Sequence, residues 1–127
     1  MAIQLNHTIV LAKDREASAK FYTDLLGVRL AGRMGPFVVV ALDNDVTLDL
    51  VSVGNGPIPS QHYAFLVSDA EFDEIFGRIR ERGMDYWADP FHRRPGEYNT
   101  EFGGRGVYFE DPDGHNLEIM TTPYELH

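Results

Sequence analysis

The hydrophobic pattern changes its period along the first half of the chain. Residues 3–11 alternate apolar and polar in steps of two, which predicts a strand with His7 in an otherwise apolar row. Residues 15–26 instead repeat every three to four positions, which predicts a helix that Asp14 caps and Gly27 ends. Two later runs rich in β-branched residues predict further strands, at 37–42 and 46–53.

A similar order of elements returns after a linker at 54–60, which is rich in Gly and Pro. A strand with His62 near its start precedes a helix whose first residues, Ser68 and Glu71, have the spacing of a capping box. Near the end, residues 106–120 predict two strands joined by a turn of Asp, Pro and Gly. Each half is therefore predicted to contain a strand, a helix and then about three strands.

The two halves also repeat their polar residues. His7 and His62 are 55 positions apart, and each stands on the first predicted strand of its half. Asp49 and Glu118 each stand between two apolar residues on the last predicted strand of their half. Because a half of this length has too small a core to stand well alone, the halves should pack together or pair across a dimer. The repeat predicts one domain over residues 1–127, made of a module at 1–54, a linker at 54–60 and a module at 61–127.

Composition excludes several classes of function. The net charge of −9 argues against a nucleic-acid partner, because phosphate binding needs clustered Lys and Arg. The chain has no cysteine, which removes disulfides, thiolate nucleophiles and zinc–thiolate sites. No signal-like segment or long apolar run is present, so we expect a cytoplasmic protein that does not enter the membrane.

A buried carboxylate needs a partner, and Glu118 lies deep in a strand that should be packed. Together with His7 and His62 it would form a set of two histidines and one carboxylate, which binds divalent first-row metals and leaves positions open for substrate. Taken singly, each histidine is more typical of a hydrogen-bonded core residue, and Glu118 is more typical of an acid that pairs with Arg or faces water. It is the repetition in the two halves that favours a metal site. Asp49 is a candidate fourth ligand or a group that orients a neighbouring ligand.

Three motifs resemble the vicinal oxygen chelate superfamily, which includes glyoxalase I, bleomycin-resistance proteins, fosfomycin-resistance thiol transferases and extradiol dioxygenases. They are Leu5-Asn6-His7, Phe21-Tyr22-Thr-Asp-Leu-Leu-Gly27 and Phe109-Glu-Asp-Pro-Asp-Gly-His-Asn-Leu-Glu118. The resemblance implies a mixed α+β fold of paired βαβββ modules, with curved sheets around a metal. It also implies a homodimer and a divalent ion, namely Fe, Mn, Ni, Co or Zn. The ligands it implies are His7, His62 and Glu118, with a further acid at Asp49 in members that resemble glyoxalase I.

Candidate substrate-binding residues lie in and after the long loop at 89–104. Arg93, Arg94 and Arg105 would clamp an anionic substrate, and Tyr98 or Asn99 would orient it. Besides Glu118, a second candidate catalytic residue is Glu101, as a base beside the metal. These residues predict a small-molecule substrate or drug as the partner.

Several functions stay open at this point. The first is a metal-dependent enzyme of lyase, isomerase or dioxygenase type, in which the ion polarises two adjacent oxygens of the substrate. The second is a bleomycin-type protein that sequesters a cationic drug without chemistry, with which the acidic charge is compatible. Gln61-His62-Tyr63-Ala64-Phe65 also resembles the fosfomycin thiol transferases, although the basic phosphonate-binding residues of that group are not found on the final strands. An interaction domain with a vestigial site is the last alternative.

Overall fold

The computed structural model describes residues 3–126, and in them the order of elements nearly repeats. The chain divides between Ile58 and Pro59 into two units. In the first unit the elements are β1 (His7–Ala12), α1 (Arg15–Leu26), β2 (Arg29–Met34), β3 (Phe37–Ala41) and β4 (Thr47–Ser52). In the second they are β5 (His62–Leu66), α2 (Asp69–Glu81), β6 (Gly106–Glu110) and β7 (Asn116–Met120). The α+β class predicted from the sequence is confirmed.

The first unit is a four-stranded sheet in the order β1-β4-β3-β2, with α1 in contact with all four strands. β1 runs parallel to β4, and the other neighbours are antiparallel. Alternate strand residues are buried, and α1 adds a stripe of buried side chains at helical spacing. The buried apolar residues are Val10, Ala12, Ala19, Tyr22, Leu25, Val38, Val40, Leu48 and Leu50.

The second unit is a three-stranded sheet in the order β5-β7-β6, with β5 parallel to β7 and β6 antiparallel to it. The predicted capping box is present at the start of α2, where Ser68 and Glu71 each accept the other's backbone N–H. Phe72, Ile75 and Ile79 form the buried stripe of this helix. Neither helix in the described residues is long and apolar enough to cross a bilayer.

The second unit has one regular strand fewer than the pattern predicts. In place of a strand between α2 and β6, the backbone of Trp87 exchanges two hydrogen bonds with Tyr108, at 2.9 and 2.8 Å. The segment after Trp87 contains Pro90 and Pro95, which lack the N–H that a continuing ladder would need. The expected strand is thereby reduced to an isolated bridge and a loop.

The first strand also begins later than the prediction of residue 3. β1 starts at His7 because its partner β4 starts at Thr47, and these two residues are the first pair of the ladder. Ile3 and Leu5 are largely exposed, at 103% and 69% of their full accessible area. The Asn6 carbonyl still accepts the N–H of Thr47, so only the alternation of residues 3–5 lies beyond the start of β4.

The register places histidine and acid alike in the two units. His7 pairs with Thr47, and two residues later Ile9 pairs with Asp49. His62 pairs in the same parallel sense with Asn116, and Ala64 pairs with Glu118. Residues two apart on a strand share a face, so in each unit the histidine and the acid lie on the same face of adjacent strands.

Candidate metal centre

His62 and Glu118 are in direct contact on the sheet of the second unit. His62 Nε2 lies 3.2 Å from Glu118 Oε1, across the parallel pair of β5 and β7. The Glu118 side chain is 2% exposed, whereas that of His62 is 46% exposed. The pair therefore combines a buried carboxylate with an imidazole that solvent or a ligand can reach.

A hydrogen bond to the backbone orients the ring of His62. Its Nδ1 lies 3.0 Å from the backbone carbonyl of Asn116, which can only accept, so Nδ1 carries the proton and donates it. In the neutral imidazole, Nε2 is then an acceptor that faces the acceptor Oε1 of Glu118. Two facing lone pairs at this distance call for a cation between or beside them, either a proton or a metal ion.

The donor set fits a divalent metal. Two ligands with bonds of about 2.1 Å at a right angle would be about 3.0 Å apart, close to the observed separation of the two atoms. The backbone carbonyl that holds the distal nitrogen of His62 is the usual partner of a metal-binding histidine. Glu118 adds the carboxylate that suits iron, manganese and zinc sites.

The second oxygen of Glu118 is bound by a tyrosine from beyond the last strand. The Tyr124 hydroxyl donates to Glu118 Oε2 at 2.6 Å, and the Tyr108 hydroxyl lies 3.3 Å from that of Tyr124. Since Tyr124 donates to Glu118, its oxygen accepts from Tyr108. Tyr108 also stacks on His62, with ring centroids 5.9 Å apart. These contacts hold the carboxylate and the imidazole together from one side.

The pKa values of both tyrosine hydroxyls are raised. Burial first, and then the hydrogen bond to Tyr124 and the negative charge of Glu118, raise the pKa of Tyr108 far above its ordinary value. Burial and the hydrogen bond to Glu118 likewise raise the pKa of Tyr124. Both hydroxyls are therefore neutral hydrogen-bond donors at physiological pH.

In the first unit, His7 and Asp49 lie along one cleft of about 330 Å³. Asp49 is 5% exposed and accepts a hydrogen bond from the Thr47 hydroxyl at 2.7 Å. His7 is exposed, and its Nδ1 lies 2.8 Å from Asn6 Oδ1. The rest of the cleft includes both apolar and basic side chains, among them Val39, Met34 and Arg33.

Within residues 3–126, no three His, Asp or Glu side chains are grouped closely enough to hold a metal ion. The structure brings together two of the sequence-predicted ligands, His62 and Glu118, in the second unit, and places His7 and Asp49 on the sheet of the first. The assignment of His7 and Asp49 as ligands stays a prediction.

The candidate residues of the long loop are largely engaged with one another. Arg94 forms an ion pair with Glu101 at 2.6 Å, and both side chains are about half exposed. Arg93 lies over the ring of Phe91, with its guanidinium carbon 5.4 Å from the centroid, and forms no ion pair in the described chain. The Asp89 carboxylate accepts the backbone N–H groups of Arg93 and Arg94, each at 2.8 Å, which shapes the loop as a tight turn.

Arg105 lies against the start of α2. Its guanidinium donates to Asp73 at 2.7 Å and to Asp69 at 3.2 Å, and it lies 4.3 Å above the ring of Phe72. The acidic partners raise the pKa of Arg105 through these hydrogen bonds. A role in substrate binding remains a prediction, and in this structure the side chain joins the last sheet to α2.

Tyr98 and Asn99 also have structural contacts. Tyr98 is 44% exposed and packs edge-on against Phe72 and Phe76. Asn99 is 7% exposed, donates to the carbonyl of Ala88 at 2.7 Å and exchanges two backbone hydrogen bonds with Gly106. Their part in orienting a substrate stays a prediction.

Sequence reasoning missed the residues that surround His62 and Glu118. Tyr108 was detectable, because the pairing of the last two strands sets it opposite Glu118. Tyr124 follows four residues after β7 in an irregular segment, so no periodic pattern indicates its direction. Asn116 acts through its backbone carbonyl, which no side-chain pattern reveals.

Comparisons with known proteins agree with this fold. The sequence model of the Glyoxalase/Bleomycin resistance protein/Dioxygenase superfamily matches residues 4–119. The structure is similar to that of Oxidase ChaP-H1, with 66% sequence identity and a TM-score of 0.93 over 98% of this chain and 100% of that chain. It is also similar to Oxidase ChaP-H2, with 60% identity and a TM-score of 0.94 over 98% and 97% of the two chains.

A more distant relative is named as a transferase. The Glutathione transferase FosA of Serratia marcescens is 27% identical over 94% of this chain and 81% of its own length. The superfamily match covers nearly all of the chain. The matched range includes His7, His62 and Glu118, the three ligands that the resemblance implies. The chain belongs to the Glyoxalase/Bleomycin resistance protein/Dioxygenase superfamily, known also as the vicinal oxygen chelate superfamily.

Proposed function

We propose that this protein is a metal-dependent oxidase that acts on a small molecule with two adjacent oxygen atoms. The superfamily typically uses a divalent metal ion, and its general chemistry is chelation of neighbouring substrate oxygens. The oxidase assignment is supported by the 66% identity to Oxidase ChaP-H1 over the whole of that chain. Iron or manganese is the preferred ion, because either can take part in oxidation by O₂.

The observation that carries the proposal is the contact between His62 and Glu118. An imidazole acceptor 3.2 Å from a buried carboxylate oxygen, with both side chains oriented by hydrogen bonds, supports the assignment of these two groups as ligands. In the proposed site His62 and Glu118 hold the ion, and Tyr124 fixes the carboxylate by donating to its other oxygen. The ion would supply Lewis acidity and one-electron chemistry with O₂.

His7 is the proposed third ligand. It occupies in the first unit the register position that His62 occupies in the second. We propose that a first unit, of the same chain or of a partner in a homodimer, brings His7 to the pair formed by His62 and Glu118. Asp49, on the same sheet face as His7, would then lie at the edge of the site as a fourth ligand or as an orienting group.

The substrate would be a small molecule that presents apolar surface as well as oxygens. The cleft of the first unit offers apolar walls at Val39 and Met34 beside polar groups at Thr47 and Asp49. Arg93 is the loop arginine without an ion pair in the described chain, so it is the one we propose for contact with an anionic group. The other candidate residues have partners of their own in this structure. We propose that they contact the substrate only if the loop rearranges when the substrate binds, and they are Arg94, Tyr98, Asn99, Glu101 and Arg105.

Metal content decides the first part of the proposal. Protein purified without chelators should contain, or take up under anaerobic conditions, one Fe²⁺ or Mn²⁺ ion per site. His62→Ala should weaken this binding by more than about 100-fold, since even the loss of a group behind a ligand costs 10–100-fold. Arg93→Ala is the matched control and should bind metal like the unmodified protein. Absence of any stoichiometric divalent ion, before and after reconstitution, would overturn the enzyme assignment.

Oxygen consumption decides the second part. The iron- or manganese-loaded protein should consume O₂ with a set of catechol-type compounds, which carry two adjacent oxygens, and the His62→Ala protein should not. Metal binding without O₂ uptake for any compound would leave the metal site standing and remove the oxidase assignment.

Mixing two variants tests whether the His7 of a site belongs to the same chain as its His62 or to the partner chain. If sites form across a homodimer, mixing His7→Ala with His62→Ala chains restores one intact site in each heterodimer, and metal binding returns. If each site forms within one chain, every site in the mixture lacks a ligand and binding stays lost.

A second candidate is a thiol transferase, favoured by the 27% identity to the Glutathione transferase FosA of Serratia marcescens over 94% of this chain. It uses the same proposed metal pair but predicts a different substrate. Incubation of the metal-loaded protein with glutathione and fosfomycin should give no adduct if the oxidase proposal holds. Adduct formation that needs His62 would favour the transferase.

A further inference from the structure

A single residue, Asn116, connects the proposed metal ligand His62 to the loop that follows α2. The backbone carbonyl of Asn116 accepts from His62 Nδ1 at 3.0 Å. Its side chain is bound from the other direction, where Nδ2 donates to the carbonyl of Pro90 at 3.3 Å and Oδ1 lies 3.1 Å from His92 Nε2. The first residue of β7 is therefore held by the loop through its side chain and holds His62 through its backbone.

The direction of each hydrogen bond follows from the atoms. The carbonyl of Pro90 can only accept, so the amide nitrogen of Asn116 is the atom that faces it. The amide oxygen then faces His92, and an amide oxygen can only accept, so His92 Nε2 carries a proton and donates. The two contacts hold the Asn116 side chain in one orientation.

His92 is itself held in an unusual conformation. Its φ is +58°, in the left-handed region that residues other than glycine rarely adopt. Its ring stacks flat on Trp87, with centroids 3.6 Å apart and planes 4° from parallel. A residue kept in a sparsely populated conformation by two side-chain contacts is a common sign of function.

Trp87, on which His92 stacks, is itself held in place by backbone hydrogen bonds. The backbone of Trp87 exchanges two hydrogen bonds with Tyr108, whose ring stacks on His62. The loop thus contacts the surroundings of His62 by two routes, through Tyr108 on one side and through Asn116 on the other. Only the second route orients the nitrogen that the proposed metal would bind, because it fixes which ring nitrogen of His62 carries the proton.

We propose that His92 is a positioning residue that, through Asn116, keeps His62 in the orientation and tautomer that present Nε2 to a metal ion. This inference rests on the proposed function for its metal, and on the contacts above for its geometry. His92 itself would touch neither the ion nor the substrate.

The test uses two variants that break the contact from opposite sides. His92→Gly removes the ring and accepts the positive φ without strain, so a purely structural role of the backbone is preserved. Asn116→Ala removes the side chain and keeps the carbonyl that receives His62 Nδ1. His92→Asn, which also tolerates this φ and is too short to reach Asn116, is the second choice if either fails to fold. Phe91→Ala, at an exposed neighbour in the same loop, is the matched control.

Two measurements read the result. The first is the ¹⁵N spectrum of the imidazole groups in the metal-free protein, which shows whether His62 carries its proton on Nδ1. The second is the affinity for Mn²⁺ by titration calorimetry. In the unmodified protein and in Phe91→Ala, His62 should be protonated on Nδ1. In His92→Gly and Asn116→Ala the two tautomers should both be populated, and Mn²⁺ should bind about 10-fold more weakly.

The outcomes separate this inference from the proposed function. Unchanged His62 nitrogen signals in both variants would overturn the positioning role, whatever the metal affinity. Any loss of Mn²⁺ affinity seen with unchanged nitrogen signals would then come from elsewhere in the loop. If the unmodified protein binds no divalent ion, the proposed function fails, while the nitrogen signals still decide whether His92 orients His62.

Discussion

The two units carry the same histidine and acid in the same register, but they surround them differently. In the second unit Glu118 contacts His62 at 3.2 Å and receives a hydrogen bond from Tyr124, which lies outside the sheet. In the first unit Asp49 receives its hydrogen bond from Thr47, two residues earlier on the same strand. The two acids are almost equally buried, at 2% and 5% exposure. Burial alone therefore does not distinguish them, whereas their partners do.

The comparison shows which part of the site comes from the repeated framework. Strand register places a histidine and an acid on one sheet face in both units. The groups that orient the second pair come from segments with no counterpart in the first, namely the tail with Tyr124 and the loop with His92. A strand register shared by the two units can thus place a histidine beside an acid twice, and added segments then surround only the second pair with orienting groups.

The largest difference between the units should appear when the acids are neutralised. Glu118→Gln should weaken Mn²⁺ binding by more than about 100-fold, because it removes a proposed charged ligand rather than a group behind one. Asp49→Asn should have a smaller effect, since Asp49 is proposed only as a fourth ligand or an orienting group at the edge of the site. Titration calorimetry on both variants measures this. An equal or larger effect of Asp49→Asn would show that the first unit contributes the main anionic ligand.

The cores of the two units should respond alike to truncation of a buried side chain. Leu50 and Ile119 are each fully buried, one residue after the acid of their unit. Truncation of either to Ala should lower the free energy of unfolding by about 2–5 kcal/mol, because it leaves a cavity in a packed interior. Urea denaturation of the two variants gives the comparison. A cost near zero at one position would mean that its unit contributes little to the cooperative stability of the chain.

The sequence predicted the framework well, because periodic patterns record which face of an element is buried. The bounds of α1, with Asp14 before it and Gly27 after it, agree with the structure. The fold class also followed from pattern and resemblance. His62 and Glu118, which the sequence grouped as metal ligands, are in contact, and their role as ligands stays a prediction. The start of β1 was wrong, because alternation describes a residue's faces and does not reveal where the neighbouring strand begins.

Groups that act across irregular segments were not predictable. His115 is an example, because it directly follows the turn of Asp, Pro and Gly in the sequence, yet its ring is fully buried and its Nδ1 accepts the backbone N–H of Gln61 at 3.0 Å. Tyr124 contacts Glu118 from a tail, and His92 contacts Asn116 from a loop, and no hydrophobic period describes the path of either segment. Such contacts depend on backbone direction, which the types of neighbouring residues do not determine.

A pH effect should arise from the second unit. Burial and hydrogen bonding raise the pKa of Tyr108 and of Tyr124 in the folded state. In the unfolded chain both lose their protons near pH 10, so their contribution to stability is complete below that pH and is lost as the pH rises above it. Urea denaturation between about pH 9 and about pH 11 should show this fall in stability, and Tyr108→Phe should make it shallower. An equally steep fall in Tyr108→Phe would contradict the contribution of this residue.

The smallest expected difference lies at the starts of the two helices. Asp14 Oδ1 accepts two backbone N–H groups of α1, at 3.0 and 3.2 Å, and also places a negative charge at the positive end of the helix dipole. Ser68 Oγ accepts one N–H of α2, and Glu71 can continue to accept the N–H of residue 68 after Ser68 is replaced. Both Asp14→Ala and Ser68→Ala should cost about 0.5–2 kcal/mol of unfolding free energy, with the larger cost at Asp14.

Urea midpoints of these two variants, beside Asp14→Asn and Ser68→Thr as controls that keep a capping oxygen, give the measurement. The controls should recover most of the loss, because Asn and Thr still accept the N–H groups of the first turn. If Ser68→Ala proves more costly than Asp14→Ala, the capping box contributes more than its single side-chain bond. The start of α2 would then have to be coupled to the rest of the second unit, and the ion pairs of Arg105 with Asp69 and Asp73 provide the route for that coupling.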